Sequence, residues 1–226
     1  MHSTMAFFGR TSSRDGAASV NSTHAGHCML VQPSNVLGRL FAQPFTATFL
    51  GAVLDHDYET HRHLLNVGAL AARVALAAGF ADDDATEVAH AALFHDIGKI
   101  SVRRSLLSAR GPLSPTDWSL LRVHAESGEA MLRAVGVPEL ARIVRGHHER
   151  LDGSGYPDGL RGLEICDATR LLSVADAYDA MRAGRPYAPA IEHAVALQRL
   201  EDAPHLFDRD AVAALVRALE AATAFS

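Results

Sequence analysis

The sequence holds little of what would mark several function classes. It has two cysteines in 226 residues, Cys28 and Cys166. They lie far apart, which argues against a disulfide framework and against a thiolate zinc site. No apolar run approaches the roughly 18–20 residues that a helix needs to cross a bilayer. The opening stretch, MHSTMAFFGRTSSRDG, holds only a brief apolar patch before polar residues, so it does not read as a signal peptide. Formal net charge is -5 and the basic residues are scattered, so no surface for wrapping nucleic acid is indicated. What is left is a soluble, cytoplasmic protein. Its hydrophobic fraction of 48% suffices for a substantial core, and its length suits one domain with an extension.

Histidine is the residue in excess, with 13 in the chain. Its meaning depends on spacing, and the hydrophobic pattern supplies the frame. Residues 1–44 are rich in Ser, Thr, Gly and Asn without sustained periodicity, and read as a loose N-terminal extension. Residues 45–226 read as one domain. Leu64, Val67, Leu70, Val74 and Ala77 form a stripe at helical spacing, and Gly79 suits its C-terminal cap. ADDDATEVAHAALFHD begins with acids that favour a helix N-terminus. SPTDWSLLRVHAESGEAMLRAVG opens with Ser114 as cap, Pro115 at the first position and Asp117 at the third, and Gly136 closes it. Further helices are expected from Pro138, over DATRLLSVADAYDAM, and in PAIEHAVALQRLED and DRDAVAALVRALEAA. No run of alternating strands and no internal repeat appears. The fold class is therefore all-α, a single helical domain of about seven or more helices with a short N-terminal extension.

The polar residues on this frame each have two readings. In Phe94-His95-Asp96-Ile97-Gly98-Lys99, a histidine and an aspartate adjoin at a helix end. Helix neighbours point about 100° apart, so the carboxylate can offer one oxygen to each of two ions while the imidazole binds one. An HD dipeptide alone also arises by chance. Glu59 and His63 share a helix face, being four residues apart. They suit a metal clamp, though in isolation a solvated polar face is the ordinary reading. His124, alone in its helix, reads first as a satisfied polar residue. His147 and His148 run into the glycine-rich loop HHERLDGSGYPDGL. Its glycines permit backbone conformations closed to other residues, and Pro157 stiffens the turn. Asp176 lies on an apolar stripe, where a buried carboxylate needs a metal or an arginine. Asp179, one turn on, either orients a ligand or is a surface acid. Asp152 reads as a turn residue, and Trp118 as core rather than a base-stacking platform. His2, His24 and His27 fall in the extension. His56, His61, His90, His193 and His205 read as ordinary surface or core histidines.

Taken in order, HDIGK, a spaced histidine, HHERLDGSGYPDGL, VADAYDAM and RPY resemble the HD-GYP family, a branch of the HD metal-dependent phosphohydrolases. The resemblance covers roughly residues 45–222, and HHERLDGSGYPDGL is close to diagnostic. It implies that His95 and Asp96 are metal ligands, with Asp96 bridging two ions. His63, His124, His147, His148 and Asp176 match the remaining ligands. Glu59 fits the place from which some members hold a third metal. Lys99 matches a lysine that contacts a substrate phosphate, and with Asp96 it is the expected catalytic residue. Arg185 of RPY, and the triplet Gly155, Tyr156 and Pro157, are the expected substrate-side residues, the triplet also serving as a partner-contact loop.

The implied activity is hydrolysis of cyclic di-GMP to linear pGpG, with onward cleavage to GMP left open, in bacterial second-messenger signalling. The implied cofactors are two or three divalent ions, iron or manganese, which suit imidazole and carboxylate ligands without thiolates. Such ions meet the charge barrier of an anionic nucleophile approaching an anionic phosphate. The expected partners are cyclic di-GMP, a signalling protein at the GYP loop and a second copy as homodimer, with no DNA, RNA or membrane. Two departures stand out. Many members read H-S-x-R-V where this chain has His63-Leu64-Leu65-Asn66-Val67, and many carry a basic residue where it has Ala188. The alternative reading is a catalytically weak module that binds a cyclic dinucleotide or a partner, or a hydrolase of another cyclic dinucleotide.

Overall fold

Two of the long helices start where a short polar side chain caps them. The computed structural model describes residues 44–109, 111–184 and 190–223. The expected extension before Pro44, together with Arg185 and Ala188, lies outside these residues. Among the described residues there are nine α-helices and no strand: α1 (Pro44–His56), α2 (Tyr58–Ala77), α3 (Asp82–Phe94), α4 (Arg104–Leu107), α5 (Pro115–Ala134), α6 (Pro138–Gly146), α7 (Asp167–Ala183), α8 (His193–Glu201) and α9 (Arg209–Thr223). A 3-10 turn, Ile97–Ser101, follows α3, and another, Gly162–Glu164, precedes α7. The all-α expectation is met. None of the described helices is long and apolar enough to cross a membrane.

Asp57 caps α2 by accepting a hydrogen bond from the Thr60 N–H at 2.8 Å. Ser114 and Asp117 form a reciprocal capping box at the start of α5, with Pro115 in the first turn. Each such cap satisfies donors that the helix leaves open, and contributes about 1 kcal/mol. Gly79, at φ +90°, ends α2 in the left-handed region that favours glycine.

The predicted stripe of α2 is the centre of the core. Leu64, Val67 and Val74 are fully buried, as are Phe94 and Ile97 around the end of α3. Helix α2 packs on α3, α7 and α9, and α5 packs on α6. The 3-10 turn after Asp96 is pressed onto α5. A Cβ on Gly98 would lie 2.6 Å from the Gly128 N and would collide with the His124 carbonyl oxygen. Only glycine allows this approach, which sets His95 and Asp96 beside His124.

Trp118 corrects the sequence reading. It is 40% exposed. It continues the buried stripe of Leu121, Ala125, Gly128 and Leu132 by one turn, but the first turn of α5 projects past the core.

Candidate metal centre

Five segments deliver polar side chains to one buried point. His63 comes from α2, His95 and Asp96 from the junction of α3 with the 3-10 turn, and His124 from α5. His147 and His148 come from the end of α6, and Asp176 from α7. They form two groups, His63 with His95 and Asp176, and Asp96 with His124, His147 and His148. Within each group the donor atoms lie within 4.8 Å of one another. Asp96 faces both. Its Oδ2 is 3.3 Å from His95 Nε2 and 3.8 Å from His63 Nε2. Its Oδ1 is 3.2 Å from His124 Nε2 and 3.9 Å from His147 Nε2.

Helix geometry sets the tautomers. His95, His124 and His147 each place Nδ1 against the carbonyl three residues earlier, Ala92, Leu121 and Val144, at 2.7, 2.7 and 2.6 Å. A carbonyl only accepts, so Nδ1 carries the proton, and in the neutral ring Nε2 presents a lone pair to the centre. The consequence is a conflict. His124 Nε2 and His147 Nε2 stand 3.3 Å apart with no proton between them. Among the described residues, Asp96 Oδ1 is buried without a hydrogen-bond partner. A buried carboxylate oxygen and facing lone pairs are costly. A cation between them removes that cost, so the donor set fits a divalent metal.

His63 is held differently. Its Nδ1 lies 2.6 Å from Asp179 Oδ2, and its Nε2 3.0 Å from Asp176 Oδ1. Both contacts are with acceptors. Burial pushes the ring's pKa down, but the hydrogen bonds to Asp176 and Asp179 outweigh it and raise it to about 9. The other group is the opposite case. Burial, with neighbouring imidazoles adding to it, lowers His147 to about 3 and takes His148 well below its ordinary value. Burial also lowers His124. Asp96 and Asp176 resist the upward push of burial and titrate well below the usual carboxylate range, Asp96 mainly through Lys99 and His95, and Asp176 through His63 and His95.

A model of the HD domain family matches residues 47–211. The chain belongs to the HD domain family. Its HDIGK and HHERLDGSGYPDGL strings are those of the HD-GYP branch. It is 42% identical over 134 residues to a cyclic di-GMP phosphodiesterase of Thermotoga maritima, across 58% of this chain and 36% of that protein. It is 37% identical over 175 residues to the 3'3'-cGAMP-specific phosphodiesterase 3 of Vibrio cholerae, across 76% of this chain and 38% of that protein. The chain thus spans less than half the length of these relatives. In fold it is similar to Bd1817, a HDG"Y"P protein from Bdellovibrio bacteriovorus. The TM-score is 0.61 at 22% identity, covering 83% of this chain and 62% of that one.

Around the centre of this HD domain, a cavity of about 190 Å³ opens beside His63, Lys99 and Asp179. One wall is apolar, with Leu106, Leu107, Leu113 and Leu121, while Asn66 and Ser108 are polar. Lys99 Nζ lies 2.5 Å from Asp96 Oδ2. Glu59 lines the same cavity but is not drawn into either donor group. Its carboxylate is two-thirds exposed and pairs with Arg62 at 2.5 Å. Asp179 resolves its two readings in favour of orienting a histidine. His56 and His193 are engaged elsewhere, on the Val102 carbonyl and the Tyr178 hydroxyl. Asp152 caps the Ser154 N–H, as a turn residue does.

Glu149 is the residue that sequence reading missed. It is buried, and its carboxylate accepts hydrogen bonds from three successive backbone N–H groups, Asp158, Gly159 and Leu160, at 2.7, 3.1 and 3.0 Å. An acid just ahead of a glycine-rich loop is the one available signal.

Proposed function

We propose that this HD domain is a metal-dependent phosphodiesterase that hydrolyses cyclic di-GMP to linear pGpG, in cytoplasmic second-messenger signalling. The observation that carries the reading is a single buried carboxylate, Asp96, facing two imidazole-rich donor groups at the edge of an open cavity. His63, His95 and Asp176 would hold one divalent ion, and His124, His147 and His148 the other, with Asp96 shared between the two groups. Two such ions, iron or manganese by ligand chemistry, would supply the Lewis acidity that activates a water and neutralises phosphate charge.

The chain's own residues do the rest. Asp179 fixes the ring of His63 through Nδ1. Lys99 leaves Asp96 as the site fills and offers its ammonium to the phosphate at the cavity mouth. The leucine wall opposite suits the flat face of a base, and Arg185 supplies a further substrate contact. Water oxygen bonds to phosphorus and gives up a proton, the bond to the 3′ oxygen breaks, and that oxygen takes up a proton, so that one water is consumed per bond cleaved. A third ion at Glu59 would need the Arg62 pair to open.

The names of the relatives support a cyclic dinucleotide as substrate. A second reading, 3'3'-cGAMP as the preferred one, is favoured by the Vibrio cholerae relative, whose match covers the larger share of this chain. The deciding experiment is product analysis of the anaerobically loaded chain with each dinucleotide, beside Asp96→Ala. Linear product from the parent alone is the expected result. No product from either dinucleotide, with metal bound, would move the reading to a binding module.

A further inference from the structure

His148 differs from its neighbours in how it is held. His95, His124 and His147 are locked by Nδ1 on a helix carbonyl, and His63 by Nδ1 on Asp179. Among the described residues, no hydrogen bond reaches a ring nitrogen of His148. Its ring lies in a stack instead. The His147 ring centre is 4.0 Å away at an interplanar angle of 40°, and the Tyr156 ring centre 4.6 Å away at 31°. The Arg122 guanidinium lies 4.8 Å from the Tyr156 ring centre. A guanidinium over a phenol ring is favourable in itself, so Arg122 closes the stack.

The loop that carries Tyr156 is anchored on the segment it serves. Tyr156 N–H points to the His148 carbonyl at 3.4 Å. A Cβ on Gly155 would stand 2.5 Å from the His148 carbonyl oxygen and 2.6 Å from the Arg150 N. Only glycine permits this contact. Glu149 takes the three N–H groups that follow Pro157. Arg145 grips the Asp158 carboxylate with two bonds, at 2.7 and 2.8 Å, and reaches Glu129 of α5 at 2.7 Å. The Gly-Tyr-Pro loop is thus fastened at both ends to residues 145–150.

We infer that Tyr156 is a positioning residue of the metal centre, fixing the plane of His148 by stacking where the other ligands use a hydrogen bond, with Glu149 as the anchor of the loop that carries it. This rests on the proposed ligand role of His148. It gives the name-giving loop a task inside the domain, apart from any contact with substrate or partner.

The test is manganese(II) binding to the metal-free full chain, followed by the electron paramagnetic resonance signal of the free ion. Tyr156→Phe keeps the ring, and Tyr156→Leu keeps bulk without a planar face. Loss of an orienting partner weakens a metal by 10–100-fold, so Tyr156→Leu should weaken one of two ions by about tenfold. Tyr156→Phe should bind as the parent does. Glu149→Gln, which keeps the tyrosine but turns one acceptor of the loop N–H groups into a donor and so loosens the loop, should weaken the same ion in the same direction. Parent-like binding by Tyr156→Leu overturns the inference. So does equal weakening by Tyr156→Phe, which would put the role in the hydroxyl. Parent-like binding by Glu149→Gln overturns the anchoring role. His148→Ala separates the two levels. If it still binds both ions at full strength, the ligand assignment itself fails, and the inference with it.

Discussion

Metal binding should release one proton near pH 7, and the structure says which. In the metal-free protein His63 sits between Asp176 and Asp179, which raise its pKa to about 9. Its Nε2 is offered to an ion only after the proton leaves. At pH 7 about 1% of the rings are free, a cost of two pH units, or about 2.7 kcal/mol. The affinity of the group containing His63 should therefore rise about tenfold per pH unit and level off above about pH 9. His124, His147 and His148 are held below their ordinary values by burial. They are neutral at pH 7 and should bind without releasing a proton. Titration calorimetry with manganese(II), in two buffers of different ionisation enthalpy, counts the protons. The expected count is one for two ions at about pH 7, falling toward zero at about pH 10. Asp179→Asn replaces one of the two carboxylates that raise His63 by a neutral amide, so it should lower the count at pH 7. No proton released at pH 7, or the same pH dependence for both ions, would refute the reasoning.

The same shift has a stability consequence. A raised pKa stabilises the fold fully below the unfolded value near 6.5 and loses that effect as pH rises through about 9. Chemical denaturation of the metal-free chain across that window should show a fall of about 3 kcal/mol, absent from His63→Asn. Lys99→Ala should leave both ions bound and lower kcat/KM about a hundredfold, read by steady-state kinetics beside metal analysis. Gly98→Ala should cost at least about 1–3 kcal/mol in thermal unfolding, because its Cβ meets the backbone of His124 and Gly128.

Much of this was legible in the chain. Asp117 three residues after Ser114 marks a capping box, and that is the start of α5. The apolar stripe from Leu64 to Ala77 marks the core face of α2. The resemblance to the HD-GYP family points to seven side chains that the fold brings together. What stayed hidden depends on three dimensions. Glu149 looks like any acid beside a motif, and its three backbone donors lie nine to eleven residues further on. Trp118 has a core residue's spacing but sits on a turn that overruns the core. Glu59 and His63 share a helix face, yet Arg62 takes the carboxylate and Asp176 and Asp179 take the imidazole. Helical periodicity reports which face a residue occupies, not which neighbour claims it.

The central claim is that one carboxylate, Asp96, joins two metal sites. Electron paramagnetic resonance of the chain fully loaded with manganese(II) tests it most directly. Two ions per chain with the spectrum of an exchange-coupled pair, lost in Asp96→Ala, is the predicted result. A single bound ion, or two that behave as isolated spins in the parent chain, would contradict it.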